Sequence, residues 1–286
     1  MTEKYYPIVL NSNNLTNTTT NATFQYNMPG SSGTFKNCEV CIGQINMYNS
    51  IFNINASLYN NNTFSIVFPT STTPYTLNIV LPNSYMNYSD INAYVQQQMI
   101  NIGAYLISGS TNVYFWNIQA NPTLYSGQIN EFPVALGSYT KPSSGIYSGT
   151  GLPATAYTPY TVINNNGFKS IIGLNAGNYP SSLQTTTYSV SSSFTPQISP
   201  VQSLNVHCSL VNNKLTIPPD YIGNFNPNSV AFGALFTYLP QQQQWVTIND
   251  QTTSQITVYF TDQNNLPVYI NDPTTTICLF IKQKLI

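Results

Sequence analysis

Four cysteines and a single histidine are the side chains of this 286-residue chain best equipped for chemistry. Cys38-x-x-Cys41 and the adjacent pair His207-Cys208 have the residue types of a zinc site. Strand geometry works against that reading, because residues three apart point to opposite faces, as neighbours do. If 202–211 is a strand, Leu204, Val206, Cys208 and Leu210 share the core face and His207 faces away. Buried free thiols in a reducing compartment are the expectation instead. His207 could act as a general base, but no acid lies near it in sequence. Asp250, Asp262 and Asp272 flank turns, where an aspartate bonds local backbone. A glycosidase pair among those three is the hydrolase reading they leave open. Gly30, Gly33 and Gly43 have neither the spacing of a phosphate loop nor its following Lys. The expectation is no catalytic, cofactor-binding or metal residue, and no enzyme.

Charge supports that expectation. Lys and Arg number 7 against 8 acids, charged residues are 5% of the chain, and the formal net charge is −1. An ordinary soluble domain carries about 25% charged residues. All the cations are Lys, so the bidentate forks that grip phosphate or guanine are missing, and scattered lysines build no basic face for nucleic acid. Hydrophobic residues at 42% and aromatics at 13% are enough for a sizeable core, which separates the chain from a disordered polar tail. No apolar run nears the ~18 residues of a membrane span. The longest, Val230 to Phe236, has the length of a buried strand, and the N-terminal residues lack a signal-peptide apolar region. A surface of amides and hydroxyls suits a protein packed against copies of itself.

The positioning elements read as strands almost throughout. Tyr75, Leu77, Ile79 and Leu81 alternate with Thr76, Asn78 and Val80, and Phe64, Ile66 and Phe68 show the same period-2 spacing just before a Pro69–Pro74 turn. Ile256, Val258 and Phe260 do the same, and Ile277, Leu279 and Ile281 share a face of a last strand. Further strands are expected near 6–10, 22–27, 38–48, 112–119, 202–211 and 230–238. One helix stands out, with Ser89 as N-cap, Asp90 in the first turn and Ile91, Tyr94, Val95, Met99, Ile102 and Tyr105 on one stripe. Its expected place is one end of a sandwich. Residues 137–160 and 175–200 read as long loops, outward decoration or arms. The class is all-β, a sandwich or barrel.

Several stretches resemble the minor capsid (penton) proteins of virophages, polinton-like viruses and related large DNA viruses. They are Met47-Tyr-Asn-Ser-Ile-Phe-Asn-Ile54 with Tyr59 to Phe64, Leu81-Pro-Asn-Ser-Tyr85 leading into Asp90-Ile91, and Phe168 to Leu174. Ser199 to Leu210 and the closing run from Ile256 through Asp262 and Asp272-Pro273 to Lys282 also fit. About 120–165 lies outside the resemblance.

The resemblance implies a single jelly-roll β-sandwich of two antiparallel sheets with one short helix. It implies one domain over 1–286, with loop-rich insertions near 120–165 and 175–200. It further implies a homopentamer at an icosahedral vertex of the virion, beside trimers of a double-jelly-roll major capsid protein. Such a protein is made in the host cytoplasm or viral factory, binds no nucleic acid and inserts in no membrane. Length agrees, since two rolls would need about 400 residues. The alternative is an attachment or carbohydrate-binding sandwich whose 22 Tyr stack on sugars.

Overall fold

The computed structural model describes residues 5–17, 20–30 and 32–284. The chain divides into two compact units, Met1–Phe52 with Val201–Ile286, and Asn53–Pro200. Before position 53 come β1 (Tyr5–Leu10), β2 (Thr23–Asn27) and β3 (Cys38–Tyr48). The middle unit carries β4 (Thr63–Phe68), β5 (Tyr75–Val80), α1 (Tyr88–Ile102), β6 (Trp116–Asn121) and β7 (Ser126–Glu131). It continues with β8 (Tyr160–Ile163), α2 (Phe168–Ile172), β9 (Gly177–Tyr179) and β10 (Tyr188–Ser191). After position 200 come β11 (Leu204–Cys208), β12 (Tyr221–Phe225), β13 (Leu235–Tyr238), β14 (Gln255–Thr261) and β15 (Thr276–Gln283).

The outer segments form two antiparallel sheets. One runs β1-β15-β3-β13, with Val246–Thr247 also paired to β3, and the other runs β12-β11-β14-β2. Numbered along the chain as eight strands, the orders are 1-8-3-6 and 5-4-7-2. First pairs with last, second with seventh, third with sixth and fourth with fifth, the winding of a jelly roll. The chain is therefore all-β with a single jelly roll, and the middle unit enters the sequence between its third and fourth strands.

Alternation builds this core. Ile256, Val258 and Phe260 of β14 are buried, as are Ile277, Leu279 and Ile281 of β15. On β3 the buried set changes parity, from Val40 and Ile42 to Ile45 and Met47. The cause is a register shift opposite Cys278 and Leu279, which leaves Gly43 as the extra residue of a bulge. The Phe280 ring lies where a Cβ on Gly43 would sit, 2.5 Å away, so glycine is required there. Phe225 joins the sheets, stacking on Phe236 at 5.4 Å and meeting Phe260 edge-on at 6.0 Å.

One expectation fails within the roll. The apolar run Val230–Phe236 is not a buried strand, since Ala231, Phe232 and Leu235 are exposed and the strand starts only at Leu235. Gly233, at φ +80°, turns the chain in mid-run.

The middle unit has its own core. One sheet runs β9-β8-β4-β5 and another β10-β7-β6. The strands expected at 63–68 and 75–81 are present, but they pair with each other and with β8, outside the roll's two sheets. Phe64 stacks on Phe168 at 4.3 Å and on Trp116 at 6.2 Å. Ile91, Val95 and Met99 of α1 face this core, and Asn92 Oδ1 accepts from the Ile118 amide of β6 at 3.1 Å.

The α1 N-cap is Asn87, two residues before the expected Ser89. Asn87 and Asp90 form a reciprocal capping box, and Ser89 donates its hydroxyl to Asn87 Oδ1. The expected arm at 137–160 is tied down instead: the Ile146 and Tyr147 amides donate to the carbonyls of Ile102 and Gly103, and the Tyr147 ring is buried edge-on to Phe68 and Phe115. The 175–200 stretch carries β9 and β10, and α2 is a second helix beyond the one expected. No described helix is long and apolar enough to cross a membrane.

Candidate functional site

His207 is where the structure brings the most chemistry together. It sits on β11 between Tyr259 of β14 and Tyr221 of β12, and a register irregularity falls between Val206 and His207. Its Nδ1 lies 3.0 Å from Asp220 Oδ1 and its Nε2 lies 2.8 Å from Thr261 Oγ1. Tyr259 stacks on the ring at 4.5 Å and donates its hydroxyl to Asp220 Oδ2 at 2.6 Å. Burial and the neighbouring carboxylate push the Tyr259 phenol up to about 12, so it remains a donor at neutral pH. His207 points away from the Cys208 face as alternation requires, yet it is fully buried.

Hydroxyl, imidazole and carboxylate here follow the order of a hydrolytic triad. Access is missing, because Thr261 is only 6% exposed and its hydroxyl is already engaged by the imidazole. The arrangement fits a polar tie across three strands: each group satisfies another, which a buried polar cluster needs. Sequence reasoning missed Asp220 because it lies 13 positions away and is delivered by the β11–β12 register.

The cysteines stay apart as metal ligands. Cys41 and Cys208 are buried, and burial pushes their thiols up to about 11 and about 12. Cys38 donates to the Lys36 carbonyl at 3.2 Å. Among the described residues, no three His, Cys, Asp or Glu side chains cluster as a metal site would need. Asp262 accepts from the Asn264 and Leu266 amides, Asp272 from Thr274 and Tyr48, and Asp250 from the Asn37 amide. All three therefore bond backbone. For Asp262 and Asp272 that backbone includes their own turns, as read from sequence.

One buried acid escaped sequence reading entirely. Glu131, on β7, has no exposed surface and accepts at Oε1 from the Thr161 hydroxyl at 2.7 Å, which accepts in turn from Trp116 Nε1 at 2.8 Å. Its Oε2 has no hydrogen-bond partner. Burial pushes the carboxyl up to about 9, so it is neutral at pH 7.

The Met47–Phe64 stretch, one of those that carry the resemblance, is held by asparagine ties. Asn49 donates to the Val230 carbonyl and fixes the turn before β13. Asn53 donates to the carbonyls of Met86 and Ile198 at 2.7 and 2.9 Å and accepts from the Met86 amide at 2.8 Å. Asn61 donates to the Asn53 carbonyl and accepts from the Asn55 amide. Asn53→Ala is expected to cost about 2–3 kcal/mol, since it strands three backbone groups around a buried site. Urea denaturation checks this; a loss under about 0.5 kcal/mol would show that water replaces the ties.

No family model matches the chain, and no curated protein matches it. Solved structures do. The mavirus penton protein aligns over 99% of this chain and 100% of its own, at 9% sequence identity and a TM-score of 0.41. A chain of the Sputnik virophage structure aligns over 99% of this chain and 98% of its own, at 11% identity and a TM-score of 0.40. The jelly-roll assignment rests on the strand order itself.

Proposed function

We propose that this chain is a structural capsid protein, the vertex (penton) subunit of an icosahedral double-stranded DNA virus or virophage, acting as one subunit over residues 1–286. The observation that carries the reading is the eight-strand jelly-roll order of the outer segments, an architecture used by capsid and lectin domains. The sequence resemblance to penton proteins points the same way, and so does a surface chemistry of amides and Tyr with almost no charge. In this role the chain forms a homopentamer beside trimers of a double-jelly-roll major capsid protein and resides at the capsid vertex.

The role needs shape and contacts rather than a reaction, and the His207 cluster serves it as internal bracing. Negative-stain imaging of the purified protein tests the reading. Rings of five-fold symmetry are expected. Three-fold particles that bind a glycan array would instead favour the attachment module.

A further inference from the structure

The middle unit carries two adjoining recesses whose walls hold no charge. The larger, of about 500 Å³, lies beside the contact between α1 and β6. Asn87, Ser89, Asn92 and Gln96 line it from the helix side, and Asn117 and Gln119 from the strand. The smaller, of about 240 Å³, lies at the β6–β7 turn and shares Tyr88, Ala120 and Ile198 with the first.

Much of the hydrogen-bonding capacity here is unused. Asn92 Oδ1 accepts from the Ile118 amide, and Asn117 Oδ1 accepts from Asn130 Nδ2 at 2.8 Å. Those bonds leave the Nδ2 groups of Asn92 and Asn117 as donors without an acceptor among the described residues. Gln96 and Gln119 make no side-chain hydrogen bond among the described residues at all. Ser126, in the wall of the smaller recess, is 8% exposed, and its hydroxyl is buried with no partner. An orphaned buried hydroxyl is unfavourable, and a ligand in the recess would satisfy it.

Tyr125 adds an aromatic platform. Its side chain is 85% exposed beside Pro122 and Pro196 in the wall of the smaller recess. Its φ of +54° is left-handed backbone, an outlier for an aromatic residue of the kind that gathers at functional sites. The turn is fixed, since the Leu124 amide donates to both the carbonyl and Oδ1 of Asn121, at 3.3 and 3.2 Å.

These walls specify a ligand. Among the described residues neither a Lys nor a carboxylate lines either recess, so a phosphate, a sialic acid or an amine finds no counter-charge. A wholly apolar ligand would strand the amides. A neutral sugar meets both walls: its C–H face lies on the electron-rich face of a tyrosine ring, and its hydroxyls exchange hydrogen bonds with carboxamides, which donate and accept.

We propose that the two recesses bind a neutral oligosaccharide, with one sugar ring stacked on Tyr125 and hydroxyls held by Ser126, Gln119 and Gln96. The site lies within residues 53–200 and is independent of ring assembly, so sugar binding by a pentamer leaves the vertex role intact.

The test titrates the full chain with cellotriose, chitotriose, maltotriose and lactose, with sialyllactose as the charged control, by saturation-transfer NMR and calorimetry. At least one neutral sugar is expected to bind with a dissociation constant of about 1 mM or lower. Tyr125→Ala should weaken it about tenfold or more, and Gln119→Ala roughly threefold. Both side chains are exposed, so each variant should keep the wild-type circular dichroism spectrum. Should one variant fail to fold, the other decides. No transfer from any neutral sugar at about 10 mM, or undiminished binding by either folded variant, would overturn the site. Tighter binding of sialyllactose than of lactose would overturn the neutral class of ligand.

Discussion

Raising the pH from about 5 to about 8 is expected to destabilise this protein steadily, and Glu131→Gln to remove most of that slope. The sign follows from the raised carboxyl. Glu131 titrates at about 9 in the folded chain against 4.5 for an unperturbed glutamate. Between those values the folded protein holds a proton that the unfolded chain releases, so unfolding is favoured as pH rises. The stability linked to this group is fully present below 4.5 and is lost as pH climbs toward 9. Each pH unit in that window costs about 1.4 kcal/mol, or roughly 4 kcal/mol over three units.

An amide at position 131 can still accept from Thr161 and cannot ionise. Urea denaturation of both proteins across the window measures the difference, which isolates this side chain from the other seven acids. Parallel pH profiles for wild type and variant would contradict a neutral, buried Glu131.

Phe64→Ala is expected to cost about 3–5 kcal/mol, a large share of the 5–15 kcal/mol that holds a typical domain. Phe64 is fully buried at the centre of the middle unit, between the Phe168 ring and the Trp116 indole. Truncation removes the transfer free energy of a ring and leaves a cavity between two rigid aromatics with little freedom to collapse. Phe64→Leu, which keeps part of the volume, should lose less than half as much. Denaturation midpoints with unchanged m-values check both variants; a loss below 1 kcal/mol for the alanine would show that the stack closes over the gap.

The strands were largely legible because period-2 alternation records which face is buried. β15 and β5 follow it without interruption, β14 follows it as far as the buried Thr261, and in β4 the buried Val67 breaks it. Alternation says nothing about which strand pairs with which, so it does not reveal that β4 and β5 belong to the middle unit's sheet and not to the roll.

The α1 cap had two acceptable donors two residues apart, and the Asn87-x-x-Asp90 spacing was the signal that distinguished them. Val230–Phe236 looked like core because composition hides the turn that Gly233 makes. At the chemical groups the sequence was weakest. Asp220 reaches His207 only through a register that contains a bulge, and the burial of Glu131 depends on strands from three separate segments. The three aspartates were legible because an aspartate in a turn bonds nearby backbone whatever the tertiary fold.

The central claim is a ring of this chain held by uncharged contacts. With so few lysines and carboxylates available, and exposed ion pairs contributing only about 0–1 kcal/mol each, association must come from apolar and Tyr-rich area and amide hydrogen bonds. Screening acts on exposed charges, so added salt should leave such an assembly intact. Light scattering of the purified full chain across a salt series measures both the order and the nature of the interface. The account predicts a mass five times that of the chain, unchanged as ionic strength rises; a monomer or trimer at every salt and protein concentration would contradict it.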